Sequence, residues 1–288
     1  MSQQSELRYR LGLYRELDDI VGSMRNLARM ELIRLKKAVN HQQQVYEACL
    51  QALSLVAHFH PGLAAGTHGT VLNSRDTQSI EPGAVGRPVL LILGSERGFC
   101  AGFNEQLVRA YETEAVSDWR ICTVGSRLGR RLGGTEPGLV LAGPGTLDEV
   151  ADCAQQVLTS LLAAPRPAAI SLLCQSQQGI GRQRLYPVQP QMLPRPPASL
   201  QLQLPAGDLY RELQWHCLQQ GMVQHMLTSL LMENHQRLEQ MERAKSHLEE
   251  LSQGMQLDLN RLRQQEIIEE IEVLFAEPGI GLDWPPTD

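Results

Sequence analysis

Apolar residues recur at two different periods along this chain, and the change of period divides it. Over 7–59 and again over 208–275 they return every three or four residues, the spacing of one helix face. Between 88 and 204 they gather instead in short runs bounded by Gly and Pro, the mark of buried strands. In the N-terminal stretch Leu13, Leu17, Ile20, Met24 and Leu27 follow a 4-3-4-3 rhythm. The seam then shifts by one position to Ala28, Leu32, Leu35, Val39, Tyr46, Leu53 and Val56, which predicts a stutter. In the C-terminal stretch Met241, Leu248, Met255 and Leu262 repeat every seven residues. Leu231, Leu238 and Leu259 lie on the companion seam, broken by Lys245 and Ser252. Pro205 and Pro278 bracket this run with no proline between, so one uninterrupted helix of roughly 100 Å is expected, long enough to protrude from a domain of this size. A lone helix cannot bury such a stripe. The two ends of the chain are expected to pair as an antiparallel two-helix coiled coil.

The middle alternates strand and helix signals. Buried strands are expected at 89–93, 120–124 and 168–174, and more exposed ones at 185–188 and 200–204. Helices are expected at 104–116, 126–132 and 147–163. β-α-β-α-β order predicts a Rossmann-like α/β domain with a mostly parallel sheet. The fold class is therefore α/β with a long coiled coil. The organisation reads as an N-terminal helix at 1–60, a Gly/Pro/Ser/Thr-rich linker at 61–87, the α/β domain at 88–204 and a C-terminal helix at 205–276. A tail at 277–288 carries Pro278, Pro285 and Pro286, which cannot extend the helix.

Composition narrows the picture. Apolar residues make up 42% of the 288, but aromatics only 5%, which is low for one large compact core. A net charge of −6 argues against general nucleic-acid binding. Six widely spaced cysteines form no C-x-x-C and read as reduced, mostly buried thiols of a cytosolic protein. No apolar run is long enough to span a bilayer, and no signal-peptide core is expected at the N-terminus. Arg25, Arg29, Arg34, Lys36 and Lys37 form a basic band opposed only by Glu31, either a solvated face or a guide for docking an acidic partner.

Candidate chemistry is sparse. Gly94-Ser-Glu-Arg-Gly-Phe-Cys-Ala-Gly-Phe-Asn104 lies between a strand and a helix, where glycines either cradle a phosphate or make a tight turn. The spacing is not G-x-G-x-x-G and no Gly-Lys-Ser/Thr follows, which favours the turn. Cys100 lacks a histidine near it in sequence, and the eight histidines are scattered, with no carboxylate or cysteine at ligand spacing from His41, His58 or His60. The expectation is no catalytic residue, no cofactor and no metal ligand.

Three motifs together resemble the gamma subunit of F-type ATP synthases. The loop is similar to that family's Ser-Asp-Arg-Gly-Leu-Cys-Gly-Gly-Leu-Asn. Ile20, Met24, Leu27 and Ala28 fit its N-terminal Ile-x-x-x-Met-x-x-[Leu/Val]-Ala. Asn260-Arg-Leu-Arg263-Gln264-Gln-Glu-Ile267-Ile-Glu-Glu270-Ile271 looks like its Asn-x-x-Arg-Gln-x-x-Ile-Thr-x-Glu-[Ile/Leu], with Ile268 in place of Thr. The wording is closest to the alternate bacterial type, the N-ATPases. The resemblance implies a non-catalytic rotor shaft that couples rotation of a membrane c-ring to ATP synthesis or hydrolysis at an alpha/beta hexamer. Its implied partners are the alpha and beta subunits, the epsilon subunit and the c-ring, at the cytoplasmic face of a bacterial inner membrane, without a membrane span or nucleic acid.

Residue by residue, Met24, Arg25, Arg29, Lys36, Arg263, Gln264 and Glu270 are implied to contact the hexamer, and Arg97, Gly98, Cys100, Gly102 and Asn104 to belong to the globular foot. Read from the residues alone, the alternatives are a nucleotide- or phosphate-binding α/β enzyme with a coiled-coil dimerisation arm, and a self-associating scaffold.

Overall fold

The computed structural model describes residues 3–65, 86–100, 102–114, 118–132, 138–163, 167–194 and 196–276. They sort into two units. One is made of the chain's ends, up to Asn26 and from Met241; the other is Leu27–Gln240. Helices α1 (Gln3–Phe59) and α6 (Ala206–Ala276) contribute to both. Neither contains a proline, so no backbone donor is lost along 57 and 71 residues. α6 starts just after Pro205, whose carbonyl accepts the N–H groups of Asp208 and Leu209, each at 3.1 Å.

In the terminal unit α1 and α6 run antiparallel. Gln4 Nε2 donates to Glu266 at 2.9 Å, and Lys245 Nζ reaches Asp18 at 3.0 Å. Leu11 and Met241 are buried, while Leu248, Met255, Leu259 and Leu262 are half-buried in the expected heptad register, and Leu251 is half-buried beside them. The phase of α1 differs from the expectation. Its shielded positions are 7, 11, 14, 18, 21 and 25, whereas Leu13, Leu17 and Ile20 are 41%, 45% and 55% exposed. Spacing of 4-3-4-3 then continues through Ala28, Leu32, Leu35 and Val39, so α1 has no stutter. The reason is that charged residues occupy the seam: Lys245, itself a seam residue of α6, neutralises Asp18 across the pair. Hydrophobicity alone selects the neighbouring stripe, which faces outward.

The second unit is built on a five-stranded sheet of β1 (Val89–Leu93), β2 (Arg120–Val124), β3 (Leu139–Leu141), β4 (Ile170–Ser176) and β5 (Gly179–Tyr186), in the order β3-β2-β1-β4-β5. All neighbours are parallel except the β4–β5 hairpin at one edge. Every side chain of β1 is buried, because both faces of the sheet are covered. Leu90 and Ile92 point toward α3 (Phe103–Glu112) and α4 (Ser126–Leu132). Val89, Leu91 and Leu93 join α5 (Val150–Leu162) and the long helices, where Leu35 of α1 and Leu218 and Met222 of α6 are fully buried. Each such aliphatic side chain contributes about 1.5–3 kcal/mol. A second cluster joins Leu50, Leu53 and Val56 of α1 to Tyr210 and Cys217 of α6 and to Leu63 of a short helix, α2 (Pro61–Ala65).

Two strand expectations are corrected, and β3 was not expected at all. The strand expected at 185–188 is instead β5, which runs from Gly179 and ends at Tyr186, and 200–204 forms no strand. Pro190, Pro194, Pro196 and Pro197 deprive that approach of ladder donors. The segment is tethered by side chains instead: Gln191 N donates to Ser54 Oγ at 2.8 Å and Gln214 Nε2 to the Val188 carbonyl at 3.2 Å. Of the expected linker, residues 66–85 lie outside the described residues, as does the tail at 277–288.

Gly221 sets the approach of α6 to α1 in this unit. A Cβ there would stand 2.7 Å from Leu185 Cδ1 and 3.0 Å from Tyr46 Cε2. Gly221→Leu should therefore cost about 1–3 kcal/mol by overpacking, read as a lowered urea midpoint. An unchanged midpoint would mean that the helices are not held this closely.

Candidate functional site

The loop between β1 and α3 is where the sequence pointed, and the structure shows what holds it. Gly94 lies under Leu128, with room for no Cβ. Gly125, at φ +111°, lets the end of β2 touch the Gly94 carbonyl, where a Cβ would approach to 2.6 Å. The loop is therefore a tight turn first. Asn104 ties it internally: its Oδ1 accepts the Ser95 N–H at 3.0 Å and its Nδ2 donates to Ser95 Oγ at 2.8 Å.

Glu96 links three segments. Its carboxylate accepts the Ser126 N–H at 2.9 Å, the Ser126 hydroxyl at 2.7 Å and the Gly143 N–H at 2.8 Å. Partial burial raises its pKa, but these donors and Arg130 together outweigh burial and hold it below the ordinary value of 4.5. A depressed carboxyl contributes stability above its unfolded pKa and loses it as pH falls through the folded value. Glu96→Gln should cost about 1–2 kcal/mol at pH 7 and progressively less as the pH drops below about 4.5. A Tm deficit that stays constant from neutral to acid pH would rule the charge out as the cause.

Helix α6 grips the same loop through a buried ion pair that the sequence reading missed. Arg237 Nε donates to the Gly98 carbonyl at 3.2 Å, Nη1 donates to Asn234 Oδ1 at 2.6 Å, and Nη2 bonds Glu233. Both partners are nearly buried, and burial raises the Glu233 pKa in spite of Arg237. On the other long helix, Glu31 stands 4.0 Å from Arg97. Cys100 sits half-buried beside this network, and burial pushes its thiol above the ordinary value, so it is not held as a thiolate. Arg97, Gly98, Cys100, Gly102 and Asn104 all line one cavity of about 390 Å³. Among the described residues, no group of three or more His, Cys, Asp or Glu could hold a metal ion.

The remaining predicted residues lie apart from it. Met24 and Arg25 are half-buried in the terminal unit, with Arg25 Nε hydrogen-bonded to nothing among the described residues. Arg263, Gln264 and Glu270 are exposed on the same unit's other strand of helix. The register that pairs Gln4 with Glu266 puts Arg263 roughly 25 Å from Arg25 along the axis, so the unit does not bring them together. Arg29 and Lys36 are exposed on the second unit, next to Arg34, which pairs with Asp148 at 3.2 Å in full solvent. Leu13, Leu17 and Ile20 form an outward apolar stripe on α1, and Ile267, Ile268 and Ile271 are exposed on α6. The resemblance had not singled out either set as contact surface. Their signal was present, as apolar residues one or two positions off a heptad seam.

Among the described residues no helix is long and apolar enough to cross a membrane. No curated protein matches the sequence. Among solved structures, the fold is similar to a chain of the Tetrahymena thermophila mitochondrial ATP synthase central stalk and c-ring, at 15% identity and a TM-score of 0.51, over 78% of this chain and 99% of that one. A rotor chain of the Euglena gracilis mitochondrial ATP synthase matches at 14% identity and a TM-score of 0.45, over 85% of this chain and 99% of that one. A family model described as ATP synthase matches residues 3–275, nearly the whole length. With paired terminal helices, a Rossmann-like sheet in the intervening sequence and this match, the chain belongs to the ATP synthase family, as a gamma subunit.

Proposed function

We propose that this chain is the central rotor shaft of an ion-translocating F-type ATP synthase or ATPase, turning with a membrane c-ring and forcing the sites of an alpha/beta hexamer through their binding states. The observation that carries the reading is the antiparallel pairing of the chain's two ends, with an apolar stripe left outward at Leu13, Leu17 and Ile20. A shaft makes and breaks no bonds. It needs stiffness, a lopsided face and a firm joint to its foot, and the Arg237 grip on the loop after β1 supplies such a joint.

In this reading the hexamer lies against the terminal helices, with Met24, Arg25, Arg29, Lys36, Arg263, Gln264 and Glu270 as contacts. The α/β unit serves as the foot, against an epsilon subunit and the c-ring. The chain works peripherally at the cytoplasmic face of a bacterial inner membrane, in a complex of the alternate N-ATPase type. The helices at 1–60 and 205–276 act as the shaft and 88–204 as the foot. Reconstitution tests this. Complexes assembled without the chain should lose ion-coupled ATP hydrolysis, and coupling that persists unchanged would sink the proposal.

A further inference from the structure

Two cysteines face each other where the long helices cross the second unit. The 4-3-4-3 spacing that runs through Leu32, Leu35 and Val39 of α1 continues through Gln42 and Tyr46 to Cys49 and Leu53. On α6, Cys217 stands two heptads before Leu231, on the same seam. Contacts across the pair fix the register. Gln42 Nε2 donates to the Gln220 carbonyl at 3.2 Å, and Tyr46 lies against Gly221. One helical turn further along, Cys49 comes opposite Cys217. Both pack in the cluster around Leu53 and Tyr210, with Cys217 fully buried and Cys49 partly exposed. Burial first, then both thiols, raise the pKa of Tyr46, so the two sulfurs lie close to one ring hydroxyl.

The helix spacing suits a covalent bridge. Axes about 8–10 Å apart, with Cα atoms about 2.3 Å from each axis, bring facing Cα atoms to roughly 4–6 Å. A disulfide spans roughly 4.4–6.8 Å between Cα atoms. Gly221 lets α6 come in close just there, since a Cβ would meet Tyr46 Cε2 at 3.0 Å. The other four cysteines lie elsewhere: Cys122, Cys153 and Cys174 in the core that covers one face of the sheet, and Cys100 in the loop after β1.

We propose that Cys49 and Cys217 are a thiol pair that a peroxide closes into a disulfide, a covalent modification that ties α1 to α6 inside the second unit. Hydrogen peroxide oxidises the more accessible Cys49 to its sulfenic acid and is itself reduced to water. The Cys217 sulfur then attacks the Cys49 sulfur. The displaced hydroxyl leaves as water with the Cys217 proton, and the S–S bond forms. Burial raises both thiols, Cys217 to about 12, so neither rests as a thiolate. The pair therefore stays reduced in a reducing compartment and closes slowly, under sustained oxidant. The inference stands independently of the rotor reading, since it uses only the second unit.

The full chain, treated with hydrogen peroxide and then alkylated, tests this by peptide mass spectrometry. A linked pair of peptides carrying Cys49 and Cys217 is expected, lost on treatment with dithiothreitol. The oxidised chain should have a higher urea midpoint, because the bridge constrains the unfolded state, and dithiothreitol should return it to that of the untreated chain. Cys49→Ser and Cys217→Ala should each abolish the link and the shift, while Cys100→Ser keeps both. Oxidation of Cys100 in the same sample shows that the oxidant acted. If Cys100 is oxidised while Cys49 is left as a thiol or carried on to the sulfinic acid, the proposal fails. It fails equally if Cys49 is still cross-linked in Cys217→Ala, if the link forms only in urea, or if the linked chain unfolds at an unchanged midpoint.

Discussion

Arg237→Ala should destabilise the second unit by about 3–5 kcal/mol, among the largest effects of any single polar substitution in this chain. Arg237 is 8% exposed and Glu233 3%, so removing the guanidinium strands a carboxylate where water cannot reach it. The Gly98 carbonyl and Asn234 Oδ1 lose their donors in the same step. The penalty comes from the orphaned group rather than from the worth of the pair. Exchanging both members for apolar residues of similar size, Arg237→Met with Glu233→Leu, should therefore recover most of the loss. Urea unfolding of wild type, single and double variants measures this directly. A single variant within about 0.5 kcal/mol of wild type, the range of an ordinary surface change, would mean that the pair is solvated. The double variant has a further use in the rotor reading. It restores stability but not the bond to the Gly98 carbonyl, so a coupling defect in that variant would assign the defect to the loop joint.

How much of this was legible in the sequence follows from which forces are local. Val89–Leu93, Arg120–Val124 and Ser126–Leu132 have the bounds expected from their residues, because a buried parallel strand is a continuous apolar run and Gly125 marks the turn between the last two. Leu139–Leu141 escaped notice since three residues carry no period, and it is defined only by pairing with β2. The phase of α1 was misjudged for a different reason. Asp18 and Arg25 look like surface residues in isolation, and only the facing Lys245 shows that Asp18 belongs to the seam. The loop after β1 announced itself by its glycines. Its surroundings did not, because Arg237 is 139 residues from Gly98 in sequence and Arg127 and Arg130 belong to another helix. Convergence of that kind is a product of topology, which no linear pattern encodes.

The outward stripe of α1 supplies the second large effect, Leu17→Asp with Ile20→Asp. These side chains are 45% and 55% exposed, so aspartate costs the isolated chain little, within about 0.5 kcal/mol for each surface change. In the rotor reading, inside a collar of alpha and beta subunits, the balance reverses. Covering two aliphatic side chains that are already half-shielded contributes about 2–3 kcal/mol in all. Covering two unpaired carboxylates instead costs at least as much again. At about 1.4 kcal/mol per tenfold, association with the hexamer should weaken by at least a hundredfold, measured as the chain concentration needed to restore hydrolysis. Leu11→Asp is the informative contrast, since Leu11 is buried at 7% and its substitution should loosen the terminal helix pair itself. The two variants separate the competing phases of the helix. Were 13, 17 and 20 the true seam, the double aspartate would melt the terminal unit and Leu11→Asp would be silent. A double variant that assembles as tightly as wild type would instead remove the stripe from the list of contacts and leave the hexamer to be gripped by charge alone.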